Sequence, residues 1–220
     1  MTLGIFPRRC AEIRATLLDD AIPIGEGRRL LRSPITAVQA ASILNTMPIR
    51  DDPNDSYTNV NVINLDNTIT YDAAGYRPVV GRENHPVTGV SWFGAQAMAE
   101  QVGARLPTVD EWHQVIQAHM SPFPWGNAAP SPELANFDEH IGRTSPTREF
   151  QPSLLGFYDL LGNVGEWCDL RNEASDEAPV VGGGWNKPIG AQWHMPRWKW
   201  RRIGTVSIGI RFLFDTGEPR

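Results

Sequence analysis

Gly156-Phe-Tyr-Asp-Leu-Leu-Gly-Asn-Val-Gly-Glu-Trp167 is the stretch on which the fold turns. Two carboxylates, Asp159 and Glu166, flank Gly162 and Val164, whose carbonyls can point the same way in a tight loop. Carboxylates together with backbone oxygens suit a hard cation such as calcium, which takes six to eight oxygen ligands. The same carboxylates, without metal, would cap backbone N–H groups. In either role they hold a loop that no regular element holds.

Outward from this stretch the chain repeats the theme of glycine, proline and tryptophan in short signatures. Upstream lie His85-Pro-Val-Thr-Gly-Val-Ser-Trp92, Arg105-Leu-Pro-Thr-Val-Asp-Glu-Trp112 and Phe123-Pro-Trp-Gly-Asn127. Downstream come Gly182-Gly-Gly-Trp185 and Gly209-Ile-Arg211. With 20 Gly and 18 Pro in 220 residues, an all-helical bundle is disfavoured and a loop-rich α+β or all-β domain is favoured. The apolar share, 41%, suffices for a core, and no apolar run approaches the length of a membrane span. Two cysteines, Cys10 and Cys168, are too few for a disulfide framework. The first ten residues place their charges after a short apolar patch and lack a cleavage-site pattern, so no secretory signal is read. Both thiols are therefore expected to be reduced and the protein cytoplasmic.

Three helices can be placed by their caps. Thr36-Ala-Val-Gln39 and Thr108-Val-Asp-Glu111 are capping boxes, and the first helix should end near Asn45. Trp112, Val115, Ile116 and His119 share a face of the helix that follows Thr108. The remaining helix is expected from Ser91 or Trp92 to about Val102, with Gly103 as its stop. Short strands are expected at 78–81, 179–182 and 206–214, with edge strands within 50–70 around Val60-Asn61-Val62. Residues 121–156 show little periodicity and should be irregular but ordered. Such a stretch needs buried aromatics, disulfides or metal to hold it.

The signatures, in this order, resemble the formylglycine-generating enzyme, or sulfatase-modifying factor, family. The likeness covers roughly residues 30–213, which leaves residues 1–29 as an N-terminal extension and 30–220 as the family-like domain. It implies a C-type-lectin-like α+β fold with few regular elements. It also implies one calcium site from Asp159, Gly162, Val164 and Glu166. A second would use Asn136 and the carbonyl of Phe137, with Asp138 or Glu139 as the open choice for its carboxylate. Of the 8 tryptophans, Trp92, Trp112, Trp125, Trp167 and Trp185 sit in the signatures and read as buried wedges.

The family's oxidation of a substrate cysteine resembles copper chemistry at two enzyme thiols shortly after the Gly-Gly segment. Here that stretch reads Gly184-Trp-Asn-Lys-Pro-Ile-Gly-Ala-Gln-Trp193 and carries no cysteine. Lys187 falls near the first thiol position and Gln192 near the second. Soft Cu(I) wants thiolates, so no copper is expected, nor formylglycine generation by that mechanism. Another branch resembles non-haem-iron sulfoxide synthases. The five histidines (His85, His113, His119, His140, His194) form no HxxxH or HxH pair. His113 reads as solvated and His119 as a core-edge residue.

Overall charge is −5, yet residues 186–211 hold Lys187, Arg197, Lys199, Arg201, Arg202 and Arg211 with no acidic residue. A protein that binds nucleic acid generally would be basic more widely, so nucleic acid is not an expected partner. On a strand, Trp198 and Trp200 would share one face and the interleaved cations the other. With Trp193 and His194 they suggest a recognition surface, because Trp and Arg dominate binding hot spots. The bland alternative is tryptophans turned to the core and solvated arginines. The sequence-level expectation is a calcium-stabilised binding module using Lys187, Gln192, Trp193, His194, Arg197, Trp198 and Trp200 for a protein, glycan or small-molecule ligand. An oxidoreductase of the iron-like branches, with or without a partner subunit, is the alternative; a phage or surface lectin-like component is a weaker one.

Overall fold

Thr36 and Thr108 start their helices as their sequences dictate. Each side chain accepts the N–H of the residue three on, and Gln39 and Glu111 close the box on the cap's own N–H. The computed structural model describes residues 5–47, 67–118, 121–170, 175–190 and 193–217. In chain order the elements are α1 (Ile5–Asp19), β1 (Ala21–Gly25), β2 (Arg28–Leu31), α2 (Ala37–Leu44), β3 (Ile69–Asp72), β4 (Gly75–Pro78), α3 (Trp92–Gln101) and α4 (Val109–Gln117). Then follow β5 (Gly165–Trp167), β6 (Glu177–Val181), β7 (Arg197–Trp200), β8 (Ile208–Gly209) and β9 (Leu213–Asp215). The edge strands expected around Val60 lie outside the described residues.

The strands form three sheets, ordered β1-β2-β9, β3-β4 and β7-β6-β5-β8. The alternation at 206–214 does not make one strand. β8 runs parallel to β5, whereas β9 pairs antiparallel with β2, so the chain changes sheet between them. Arg211, at the crossing, explains the break. Its buried guanidinium donates to Glu166 of β5, to the Leu31 carbonyl of β2 and to the Tyr158 carbonyl.

The boundary expected between residues 29 and 30 falls inside β2, which is the middle strand of its sheet. Leu17 of α1 and Ala21 of β1 enter the same core as α2 and α3. Sequence reasoning gave α1 no element because it carries no cap signature.

One core gathers around α2, α3 and Trp167; the other lies around Trp112, Phe157 and Trp193. Irregular backbone between them is tied by indole donors. Trp92 Nε1 donates to the Cys168 carbonyl at 2.8 Å and Trp167 Nε1 to the Val90 carbonyl at 3.0 Å. Asn163, at φ +57°, offers its amide to Ser145 as a backbone group would: Oδ1 accepts the Ser145 N–H and Nδ2 donates to the Ser145 carbonyl. These side chains stand in for the ladder that the 121–156 segment lacks.

Glu111 joins helix start to sheet. Its carboxylate accepts from Arg105 at 2.7 Å twice, from Arg28 at 3.1 Å and from the Thr108 N–H at 2.8 Å. Burial alone would raise its pKa, but the Arg105, Thr108 and Arg28 donors overcome this and hold it at about 2. A carboxyl depressed on folding adds stability above its unfolded value, and that stability is lost as pH falls from about 4.5 towards about 2. Glu111→Gln, which keeps the capping box, is therefore expected to cost about 2–3 kcal/mol at neutral pH. Acid titration of unfolding free energy should show the two proteins approaching each other below about pH 4.5 and converging only as the pH nears about 2.

Candidate functional site

Asp159 sits at φ +53° in the turn after Phe157, half-buried, accepting from the Arg148 N–H and from Asn163 Nδ2. Burial pushes its carboxyl upward. Gly162 passes so close to its neighbour that a Cβ would lie 2.5 Å from the Asn136 carbonyl oxygen. The two loops proposed for calcium, 136–137 and 159–166, are thus in direct contact, and Asn163 N–H donates to that same carbonyl at 2.7 Å.

Glu166 is fully buried, and its oxygens are already spoken for. Arg211 Nε lies 3.1 and 2.9 Å from Oε1 and Oε2, Nη2 donates to Oε1 at 2.7 Å, and Trp112 Nε1 donates to Oε2 at 3.0 Å. Two carboxylate oxygens offer about four lone-pair sites. Three N–H groups engage both oxygens, the Arg211 Nε–H being shared between them, and the charge is neutralised by Arg211. The set of Asp159, Gly162, Val164 and Glu166 therefore does not fit a cation in this arrangement of Glu166. Asn136 differs. Its Nδ2 donates to the Arg143 carbonyl and to Ser145 Oγ, while its buried Oδ1 has no donor. An acceptor left unmet in the interior fits a cation, although the neighbouring Phe137 carbonyl already accepts from His140 N–H and Nδ1.

At the place matched to the family's first thiol, the Lys187 backbone is held by Gly184 and Asp138, its N–H donating to the Gly184 carbonyl and its carbonyl accepting the Asp138 N–H. Gln192 lies outside the described residues, as does His119. Neither cysteine lies in this segment: Cys10 is on α1 beside Gln101, and Cys168 follows β5, buried in the core that Ile189 and Trp193 join. Burial first, and then the Glu166 charge, push the Cys168 thiol well up, so it stays protonated and inert. Among the described residues no group of three His, Cys, Asp or Glu side chains gathers as a metal centre, and no helix is long and apolar enough to cross a membrane.

The recognition residues expected from the sequence divide in two. Trp193 is 7% exposed, packs edge-on to Trp112 and donates Nε1 to the Pro122 carbonyl. It is core, not surface, because Phe123 and Ile189 complete its packing. His194 is partly buried beside it, and its carbonyl receives His113 Nε2 at 2.6 Å, so His113 is anchored rather than solvated. Arg197, Trp198 and Trp200 behave as expected of an exposed strand. They occupy β7, the end strand of its sheet, with Trp198 50% and Trp200 57% exposed.

The indole bonds separate these two from the rest. Trp92, Trp112, Trp125, Trp167, Trp185 and Trp193 each donate Nε1 to a protein oxygen. Among the described residues Trp198 and Trp200 find no such acceptor, and Trp198 walls a groove of about 270 Å³ with Pro179, Leu170, Asp110 and Asp169. Sequence reasoning missed Asp110 and Asp169. Both stand beside signature tryptophans, and nothing in their spacing brings them to Trp198.

Residues 54–212 match the family described as "Sulfatase-modifying factor enzyme 1-like domain". The chain is 32% identical over 156 residues to inactive C-alpha-formylglycine-generating enzyme 2 of Bos taurus, covering 61% of this chain and 52% of that protein. It is 37% identical over 91 residues to hercynine oxygenase of Mycolicibacterium smegmatis, covering 38% of this chain and 21% of that protein. The chain spans about half or less of these relatives' length. The structure of PvdO from Pseudomonas aeruginosa superposes with a TM-score of 0.65 at 18% identity, over 86% of this chain and 80% of that one, a likeness of fold.

Proposed function

Because this chain belongs to the sulfatase-modifying factor family, with its loop-rich α+β fold, we propose that it is a member without formylglycine-generating chemistry that works as a ligand- or partner-binding module. The observation that carries this is the pair Trp198 and Trp200, which alone among the tryptophans keep unpaired indoles on an exposed strand. Exposing two indoles forgoes their burial, and such residues are favoured where a partner covers them. The lack of cysteine near Lys187 supports the loss of the copper reaction. Resemblance to a relative named inactive agrees with it.

The test is the double variant Trp198→Ala/Trp200→Ala. Binding measured against arrays of glycans and peptides is expected to fall at least a hundredfold for any ligand of the parent protein, with the melting temperature within a degree or two. Ligands held equally by both proteins would end the reading.

Calcium, within this proposal, belongs at Asn136 rather than at Glu166, since among the described residues the buried Asn136 Oδ1 has no donor whereas both Glu166 oxygens accept from Arg211 or Trp112. Adding calcium to chelator-treated protein is expected to raise the melting temperature by several degrees through binding linkage, and Asn136→Ala should abolish the response. If Asn136→Ala responds fully while Asp159→Ala does not, the cation sits instead at the 159–166 loop. The cytoplasmic location is part of the same proposal, supported by two free thiols.

The oxidoreductase alternative draws on the likeness to hercynine oxygenase. Metal analysis of the purified protein separates the two: iron near one per chain, with O2 consumption, favours the oxidoreductase, whereas calcium alone favours the module.

A further inference from the structure

β7 is bonded on one side only. In the sheet order β7-β6-β5-β8 it is an end strand, and among the described residues no element pairs with its outer edge. Its register with β6 sets Trp198 opposite Pro179. Proline has no N–H to give, and the Pro179 carbonyl is turned the other way, accepting the Cys168 N–H at 2.9 Å. Pro179 thus offers nothing to Trp198. The N–H and carbonyl of Trp198 must point away from β6, along the open edge, as alternating pairs in an antiparallel ladder require. The Trp200 N–H follows with the two-residue period.

The two faces beside this edge carry opposite charge. Trp198 and Pro179 turn towards the groove that holds Asp110 and Asp169. Arg197 and Lys199 turn to the other face and are exposed. At about 270 Å³ the groove has room for one or two side chains, less than a drug-sized ligand needs. An indole wall beside two carboxylates suits a cationic side chain. A second copy of this chain is a poor occupant. A two-fold axis joining β7 to β7 would keep each face continuous and set Arg197 and Lys199 against their own counterparts, and edge lysines oppose such pairing.

We infer that the open edge of β7 takes up an extended segment of another polypeptide as an added strand. Its side chains alternate between basic residues on the Asp110–Asp169 groove and acidic residues on Arg197 and Lys199. The inference rests on the recognition-surface reading above and names its partner class. Main-chain bonds to Trp198 and Trp200 supply affinity, and the alternation of charge supplies register.

The experiment uses the full chain and fluorescein-labelled octapeptides read by anisotropy. One peptide alternates Lys and Glu, and one of the same composition places its lysines and glutamates in blocks. The alternating peptide is expected to bind about tenfold or more tightly than the block peptide. N-methylation of its alternate backbone nitrogens is expected to weaken it about tenfold on the edge-facing set and little on the other set. Asp110→Asn with Asp169→Asn is expected to erase the preference for alternation. Equal binding of the two peptides, indifference to N-methylation or no binding of the alternating peptide overturns the inference. If N-methylation has no effect while Trp198→Ala/Trp200→Ala still abolishes binding, strand addition fails and the recognition surface stands. Peptide binding that survives the double tryptophan change defeats both.

Discussion

Arg211→Met is expected to destabilise the protein by about 3–5 kcal/mol, seen as a lower denaturant midpoint. Arg211 and Glu166 are both fully buried, and the Arg211 guanidinium also satisfies the carbonyls of Leu31 and Tyr158. Removing it strands a carboxylate and two carbonyls in the interior. The cost comes from what is left unpaired more than from the attraction lost. Arg211→Met combined with Glu166→Gln should therefore recover a substantial part of the loss. A single change costing less than about 1 kcal/mol would mean that Glu166 finds another counter-charge, and calcium-dependent rescue of Arg211→Met would identify that charge as the cation.

Gly204→Ala is expected to be nearly as damaging, at about 3 kcal/mol or more, for a different reason. A Cβ at residue 204 would lie 2.1 Å from the Gly89 carbonyl oxygen and 2.7 Å from the Val90 nitrogen, all backbone, so no side chain can rotate away. This approach pins the chain as it leaves β7, next to the Gly89 N–H bond to the Thr205 carbonyl and the Trp92 N–H bond to the Arg201 carbonyl. Thermal unfolding of Gly204→Ala should show a melting temperature many degrees lower. A near-parental value would mean that residues 201–205 move without cost, and β7 would lose its fixed position against α3.

The helices were legible because their signals are local. Thr36, Ser91 and Thr108 each mark a start through a hydroxyl that meets an N–H three residues on. Of the signature tryptophans, Trp92, Trp112 and Trp167 are buried wedges as their motifs imply, whereas Trp125 and Trp185 are only partly buried. Trp193 was misplaced because its partners, Pro122 and Trp112, are remote in sequence. Its neighbours in the basic run suggested exposure, and only packing against the 121–125 loop shows otherwise. The partner of Glu166 was hidden for the same reason: between Gly165 and Trp167 its carboxylate shows no counter-charge until Arg211 arrives from 45 residues away.

By itself, then, the sequence determined the family, the α+β character, the three capped helices, the missing thiols and the alternation of Trp198 and Trp200 with cations. Those properties reside in residue type and short spacing, which the chain carries before it folds. Tertiary structure decided which charges are neutralised and which indoles are covered, because each depends on contacts between distant segments. It turned Glu166 into one half of a buried ion pair, sent Trp193 inward, and left β7 at the end of its sheet with Asp110 and Asp169 beside Trp198.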